Sequence, residues 1–278
     1  MERVGDHPVP AGPLAVRWRA YQVPPIRAGE PAVARVLLEN AGSASWRSRG
    51  REGVQLGSHW LDPLGNPIVW DGERTAFADP VRPGEVVELK LRLVGPRPPG
   101  PYRLAVDLIE EHRFWFAEAG SFVLEVPIEV SSRLAERRLG VVVRGGEDEE
   151  TRRALAAQEE PLVDVEAEAV AHLVAGAVPA PDWSRVLLDA HAEGWAAVGP
   201  RLVADGGLLE KRRLARRLAP WSGPGRNPRL GAPLLLPSLL AGREAGEHDG
   251  LPAWAGEDAL YEGRAVVRLR PRPGRPPA

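Results

Sequence analysis

Val86-Val87-Glu88-Leu89-Lys90-Leu91-Arg92-Leu93 opens a stretch, residues 83–130, whose pattern decides the fold. Two further runs follow it: Tyr102-Arg103-Leu104-Ala105-Val106-Asp107-Leu108 and Phe122-Val123-Leu124-Glu125-Val126-Pro127-Ile128-Glu129-Val130. All three alternate apolar and polar residues. A period of two with one apolar face marks half-buried antiparallel strands. Between the first two lies Gly95-Pro96-Arg97-Pro98-Pro99-Gly100-Pro101, which breaks regular structure, and Arg82-Pro83-Gly84-Glu85 is a turn leading into the first.

Working toward the N-terminus, the same alternation returns. Val16 to Tyr21 reads as an edge strand and Ala32 to Glu39 as the next, stopped by Asn40-Ala41-Gly42. Val54 to Asp62 pairs back with Ile68-Val69-Trp70 through the loop Pro63-Leu64-Gly65-Asn66-Pro67. Seven or eight strands with frequent turns predict an antiparallel β-sandwich over residues 14–131. Tyr102, just after Gly100-Pro101, occupies the place of a tyrosine corner, where the phenol bonds a nearby backbone group. Trp46 and Trp60 are expected in the core between the sheets. Trp70 and Trp115 lie beside loops, where an indole face can stack on a sugar ring or a partner protein, and they are the candidate binding residues of this half.

The motifs resemble, in their order, a known family. Asn40-x-Gly42 leading to Trp46, then Leu56-Gly57-Ser58-His59-Trp60-Leu61-Asp62, Arg82-Pro83-Gly84-Glu85, Pro99-Gly100-Pro101-Tyr102-Arg103-Leu104 and Trp115-Phe116 are similar to the immunoglobulin-like, tryptophan-marked domain of autophagy cargo receptors of the next-to-BRCA type. The pattern also resembles bacterial relatives attached to glycosyltransferase and methyltransferase chains. The resemblance covers residues 16–130. It implies a β-sandwich without chemistry of its own, working as a binding or spacer module.

Residues 132–138 read as a polar linker, after which the pattern changes. Leu139-Gly140-Val141-Val142-Val143 is a continuous apolar run of buried-strand type, Glu147 to Gln158 is helix-compatible, and Leu162 to Ala167, Ser184 to Ala190, Trp195 to Gly199 and Leu202 to Ala204 read as strands. The expectation is a small α/β domain over residues 139–269, followed by an irregular Pro/Arg-rich tail, 270–278, too proline-rich to pack. The whole is thus a multidomain β plus α/β chain.

Chemistry is sparse. Gly145-Gly146 after a strand invites a nucleotide site, but the three-glycine fingerprint and the phosphate-loop Lys-Ser/Thr are missing. Glu147, Asp148, Glu149 and Glu150 would also repel a phosphate at that helix end. Asp189, His191 and Glu193 alternate and on a strand would share one face, the candidate catalytic set of an enzymatic alternative, glycosyltransferase-related or hydrolytic. No Asp-x-Asp occurs to hold a metal and a sugar diphosphate. Lys211, Arg212, Arg213, Arg216 and Arg217 form a basic helix face, of which Arg212, Arg213 and Arg216 are candidate binding residues, against nine acids between Gly145 and Glu168. Trp221 to Pro228 with the leucine run from Leu234 resembles sections that accompany bacterial glycosyltransferases.

Composition bounds the rest. With 278 residues the chain suits two modest domains, and a net charge of −2 favours no nucleic-acid partner. The absence of cysteine excludes disulfides, thiolate nucleophiles and cysteine-held zinc. No cofactor and no metal are expected. The N-terminus has no secretory signal and no apolar run is long enough to span a bilayer. The expectation is a non-catalytic, cytoplasmic bacterial protein that binds a glycan or a protein partner, a glycosyltransferase among them, in cell-envelope polysaccharide biosynthesis.

Overall fold

The structure, a computed structural model, describes residues 1–50, 52–144, 148–163, 167–174, 176–204, 206–209, 211–212 and 259–269. The chain divides into two units, Met1–Ser131 and Ser132–Ala278.

The first unit is an immunoglobulin-like β-sandwich. One sheet has the order β1 (Glu2–Arg3), β2 (Val16–Gln22), β4 (Pro31–Asn40), β9 (Val86–Val94), all antiparallel. The other runs β3 (Ile26–Arg27), β12 (Leu124–Ser131), β10 (Gly100–Glu110), β6 (Glu52–Leu61), β5 (Ser48–Arg49). Onto β6 pair β7 (Pro67–Val69) and β8 (Thr75–Ala76), and onto β10 pairs β11 (Phe114–Trp115). Strand β2, expected at an edge, is covered on its outer side by the short β1.

Alternation does the sorting. On β9, Leu91 and Leu93 turn inward while Glu88, Lys90 and Arg92 are exposed. Leu104, Val106 and Leu108 of β10 meet Val36, Leu38 and Leu91 of the facing sheet, around Trp18, Trp46 and Trp60, all nearly dry. The Tyr102 hydroxyl donates to the Pro98 carbonyl at 2.7 Å, the corner bond anticipated from its position. Two of the quoted motifs meet at Asn40. Its amide donates to the Ala44 and Val81 carbonyls at 2.9 and 2.8 Å, and its oxygen accepts from Gly42 N at 3.0 Å. A Cβ on Gly42 would stand 2.3 Å from the Pro13 carbonyl oxygen, so only glycine fits. These motif residues hold the sandwich together.

In the second unit, β13 (Leu139–Arg144) lies parallel to both β14 (Leu162–Val163) and β15 (Ala169–Val174). Strand β18 (Ala259–Leu269) pairs with β16 (Ala177–Pro179) in antiparallel and β17 (Ala197–Ala204) in parallel fashion. Two helices are described, α1 (Glu149–Ala156) and α2 (Trp183–Ala192). Asp148 caps α1, accepting from Thr151 N at 2.7 Å, which accounts for the acids crowding that end. Leu139, Leu173, Trp183, Leu187, Val198 and Val267 belong to one separate core.

One expectation is corrected here. Residues 184–190 form most of helix α2 and not a strand. A short apolar run, Val186-Leu187-Leu188, does not distinguish the two; burial of Trp183, Val186, Leu187 and Ala190 along one helical face decides for helix. The predicted strands 195–199 and 202–204 are parts of the single strand β17. The Trp221–Pro228 and leucine segments and the tail, 270–278, lie outside the described residues.

Candidate functional site

The middle strands of the larger sheet are buried on both faces. Gln55, His59 and Asp107 project away from the sandwich core, yet each is less than a tenth exposed. Two local segments cover them. Residues 111–121 turn back through β11 and a 3-10 turn, Phe116–Ala119, and residues 67–76 fold along β6 through β7 and β8.

Trp115 is the centre of this second layer. Its ring lies over Gly57, where a Cβ would stand 2.8 Å from the indole, a contact only glycine permits. The His59 ring meets Trp115 edge-on at 4.2 Å and stacks on Trp70 at 4.0 Å and 22°. His59 Nδ1 donates to the Trp70 carbonyl. Burial lowers the imidazole's affinity for a proton, only partly offset by that bond, and the nearby Arg74 lowers it further. The Arg74 guanidinium lies 4.6 Å from the centre of the Trp115 ring and bonds Glu111 and Asp71, each at 2.8 Å, and the Gly72 carbonyl at 2.8 Å. Beneath, Asp107 accepts from Ala117 N at 3.0 Å and Leu108 N at 2.8 Å. Burial pushes its carboxyl up to about 7 against the pull of these two donors, and nearby Glu118 adds to the rise.

The layer presents one large aromatic face to water. Trp70 is 52% exposed, whereas Trp115 is 7% exposed and serves as its support. The two candidate tryptophans are therefore neighbours, ring centres 6.3 Å apart, with different roles. A hollow of about 410 Å³ opens between the β7 segment and the end of β9; Val69 and Asp71, the chain neighbours of Trp70, line it, and Trp70 itself does not. Trp60, Ile68, Val69 and Val94 give it apolar walls, and Asp71 and Arg92 polar ones. The exposed face of Trp70 itself can stack a sugar ring.

The other candidates separate. On α2, Asp189 pairs with Arg137 at 2.9 Å and Arg185 at 3.4 Å, while His191 is buried with its Nδ1 2.8 Å from the Trp195 carbonyl. Glu193 follows as the helix C-cap. Helical geometry turns His191 away from Asp189 and Glu193, which stand four apart on one side, so the three do not share the face expected of a strand. Among the described residues no three His, Asp or Glu side chains are grouped to hold a metal ion. Arg212 is exposed; Arg213 and Arg216 lie outside the described residues, as do Gly145 and Gly146. Sequence reasoning missed Arg74 and Asp107. Gly57 inside a strand was the available signal, since a strand glycine marks close approach of another group.

No protein-family model and no curated protein matches the chain. Among solved structures, the CARDB domain of a Pyrococcus furiosus protein is similar at 17% identity, over 40% of this chain and 89% of that one, with a TM-score of 0.27. A PapD-like domain of human CEP192 is similar at 14% identity over 47% and 94%, with a TM-score of 0.22. A β-glucosidase from Listeria innocua in complex with glucose is 15% identical over 41% of this chain, with a TM-score of 0.26, and the chain spans 15% of its length. Among the described residues no helix is long and apolar enough to cross a membrane.

Proposed function

We propose that the chain is a non-catalytic binding and scaffold protein whose sandwich, residues 14–131, recognises a glycan. The observation that carries this reading is Trp70, half in water while His59 and Trp115 hold its other side. A preorganised indole face loses little freedom on stacking a sugar. In this reading the work is done in the cytoplasm of a bacterium, beside a glycosyltransferase of cell-envelope polysaccharide synthesis. Residues 139–269 act as a small α/β docking domain joined through 132–138, and Arg212, Arg213 and Arg216 supply a second contact on it.

The test is an oligosaccharide array on the intact protein, followed by titration of the best ligand against Trp70→Ala. Binding should weaken by about tenfold or more, the scale expected when a central aromatic anchor is truncated. Because Trp70 is exposed, the variant should melt close to the parent. Absence of any saccharide binding, or unchanged affinity in Trp70→Ala, would remove the reading.

A further inference from the structure

The sheet β1-β2-β4-β9 has an outward face of its own, on the opposite side of the sandwich from the tryptophan layer. Ala34, Val36, Leu91 and Leu93 fill the core, so alternation leaves Val33 and Arg35 of β4 and Glu88, Lys90 and Arg92 of β9 outside. A hollow of about 740 Å³ lies there, lined by Arg35, Arg74, Lys90 and Arg92. Glu73 is the one carboxylate lining it among the described residues. Arg74 is committed to Glu111 and Asp71. Arg35 reaches Glu88 at 3.6 Å with both side chains half in water, a pair of little worth. Lys90 and Arg92 are exposed and make no side-chain hydrogen bond or ion pair among the described residues.

The register crowds these charges. Arg35 stands directly opposite Lys90, and Val33 opposite Arg92, which makes Arg35 the diagonal neighbour of Arg92. Such positions are about 5 Å apart directly and about 7 Å on the diagonal, and like charges so placed cost stability. Three cations share one patch, and an anion set among them offsets the repulsion. The outward row of β9 reads Val86, Glu88, Lys90, Arg92, Val94: apolar, acid, base, base, apolar. Val86 and Val94 are 50% and 45% exposed, and Val33 beside the cations is 49% exposed. Neighbouring members of the row stand about 7 Å apart, the period at which any extended peptide repeats side chains on one face.

We propose that this face docks an extended acidic segment of a partner protein. Two alternate carboxylates of the segment lie on Lys90 and Arg92, with Arg35 shared between them, and apolar side chains flank them over Val86 and Val94. A nucleic acid fits less well. No aromatic ring lines the hollow among the described residues for bases to stack on, and Glu73 and Glu88 repel a chain charged at every unit. The surface is separate from Trp70 and stands independently of the glycan reading.

The experiment titrates the intact protein with a synthetic peptide that alternates Thr with the row Val, Ser, Glu, Glu, Val. Its counterpart with Gln for both Glu and a short oligothymidylate serve as comparisons, each at low and high salt. The Glu peptide should bind about fivefold tighter than the Gln peptide at low salt and lose that advantage at high salt. Lys90→Ala with Arg92→Ala should remove the advantage, and its melting temperature should not fall, because the repulsion with Arg35 goes too. Trp70→Ala should leave peptide binding unchanged. Equal affinity for the two peptides, or binding of neither, overturns the proposal. So does a loss of peptide binding in Trp70→Ala, which would place the peptide on the tryptophan layer. Tighter binding of oligothymidylate than of the Glu peptide overturns the choice of a polypeptide partner. The salt titration of the unsubstituted protein decides the charge question even if the double variant folds poorly.

Discussion

Asp107 occupies an outward position on β10, where alternation places a solvated residue, yet it is 1% exposed. The consequence is a pH dependence of stability. Its carboxyl titrates at about 7 in the folded chain against an ordinary 3.8. Between those values the folded state keeps a proton that the unfolded state has released. Stability therefore falls as pH rises through this window, and the loss is complete above it, on the order of a few kcal/mol. Asp107→Asn keeps an oxygen for Ala117 N and removes the charge. The variant should gain on the parent at pH 8 and show a flatter melting-temperature profile between pH 5 and 8. A variant profile that falls as steeply as the parent's would contradict the assignment.

At the level of elements, the glycine of β6 and the tryptophan of β11 form one device. Gly57 leaves the space that Trp115 fills, and Trp115 in turn carries the edge of Trp70. Gly57→Ala should cost about 1–3 kcal/mol, read by urea unfolding, as the added methyl drives the indole off the strand. Sugar binding should fall with it, because Trp70 loses its backing. Unchanged stability would mean that the layer shifts freely, and the support role of Trp115 would fail. Strands β9 and β12 were legible from sequence because each buries a single face, so composition alternates with geometry; β10, buried on both faces, kept the polar Arg103 and Asp107 on its outward side and so read as a strand too. Helix α2 was not: its run Val186-Leu187-Leu188 is too short to separate the two periods, and Asp189, His191 and Glu193 were accordingly placed on one face.

For the whole molecule, the two cores share no residue: one draws on residues up to Val130, the other starts at Leu134. A fragment of residues 1–131 should therefore fold alone, unfold cooperatively and keep the blue-shifted emission of the buried Trp18, Trp46, Trp60 and Trp115. Water-exposed emission from the fragment would show that its core depends on the rest of the chain.

The amino-acid order determined the sandwich by itself. Period-two alternation, the Asn40 and Gly42 turn, the Tyr102 corner and the core indoles each follow from what a half-buried strand and a tight turn demand locally. Which tryptophan faces water was decided only in three dimensions. Trp70 and Trp115 both sit beside loops and look alike in sequence. Residues 111–121 fold over β6 and bury the second, and the first is left half in water. Exposure is a sum over neighbours distant in the chain, and no local pattern carries it.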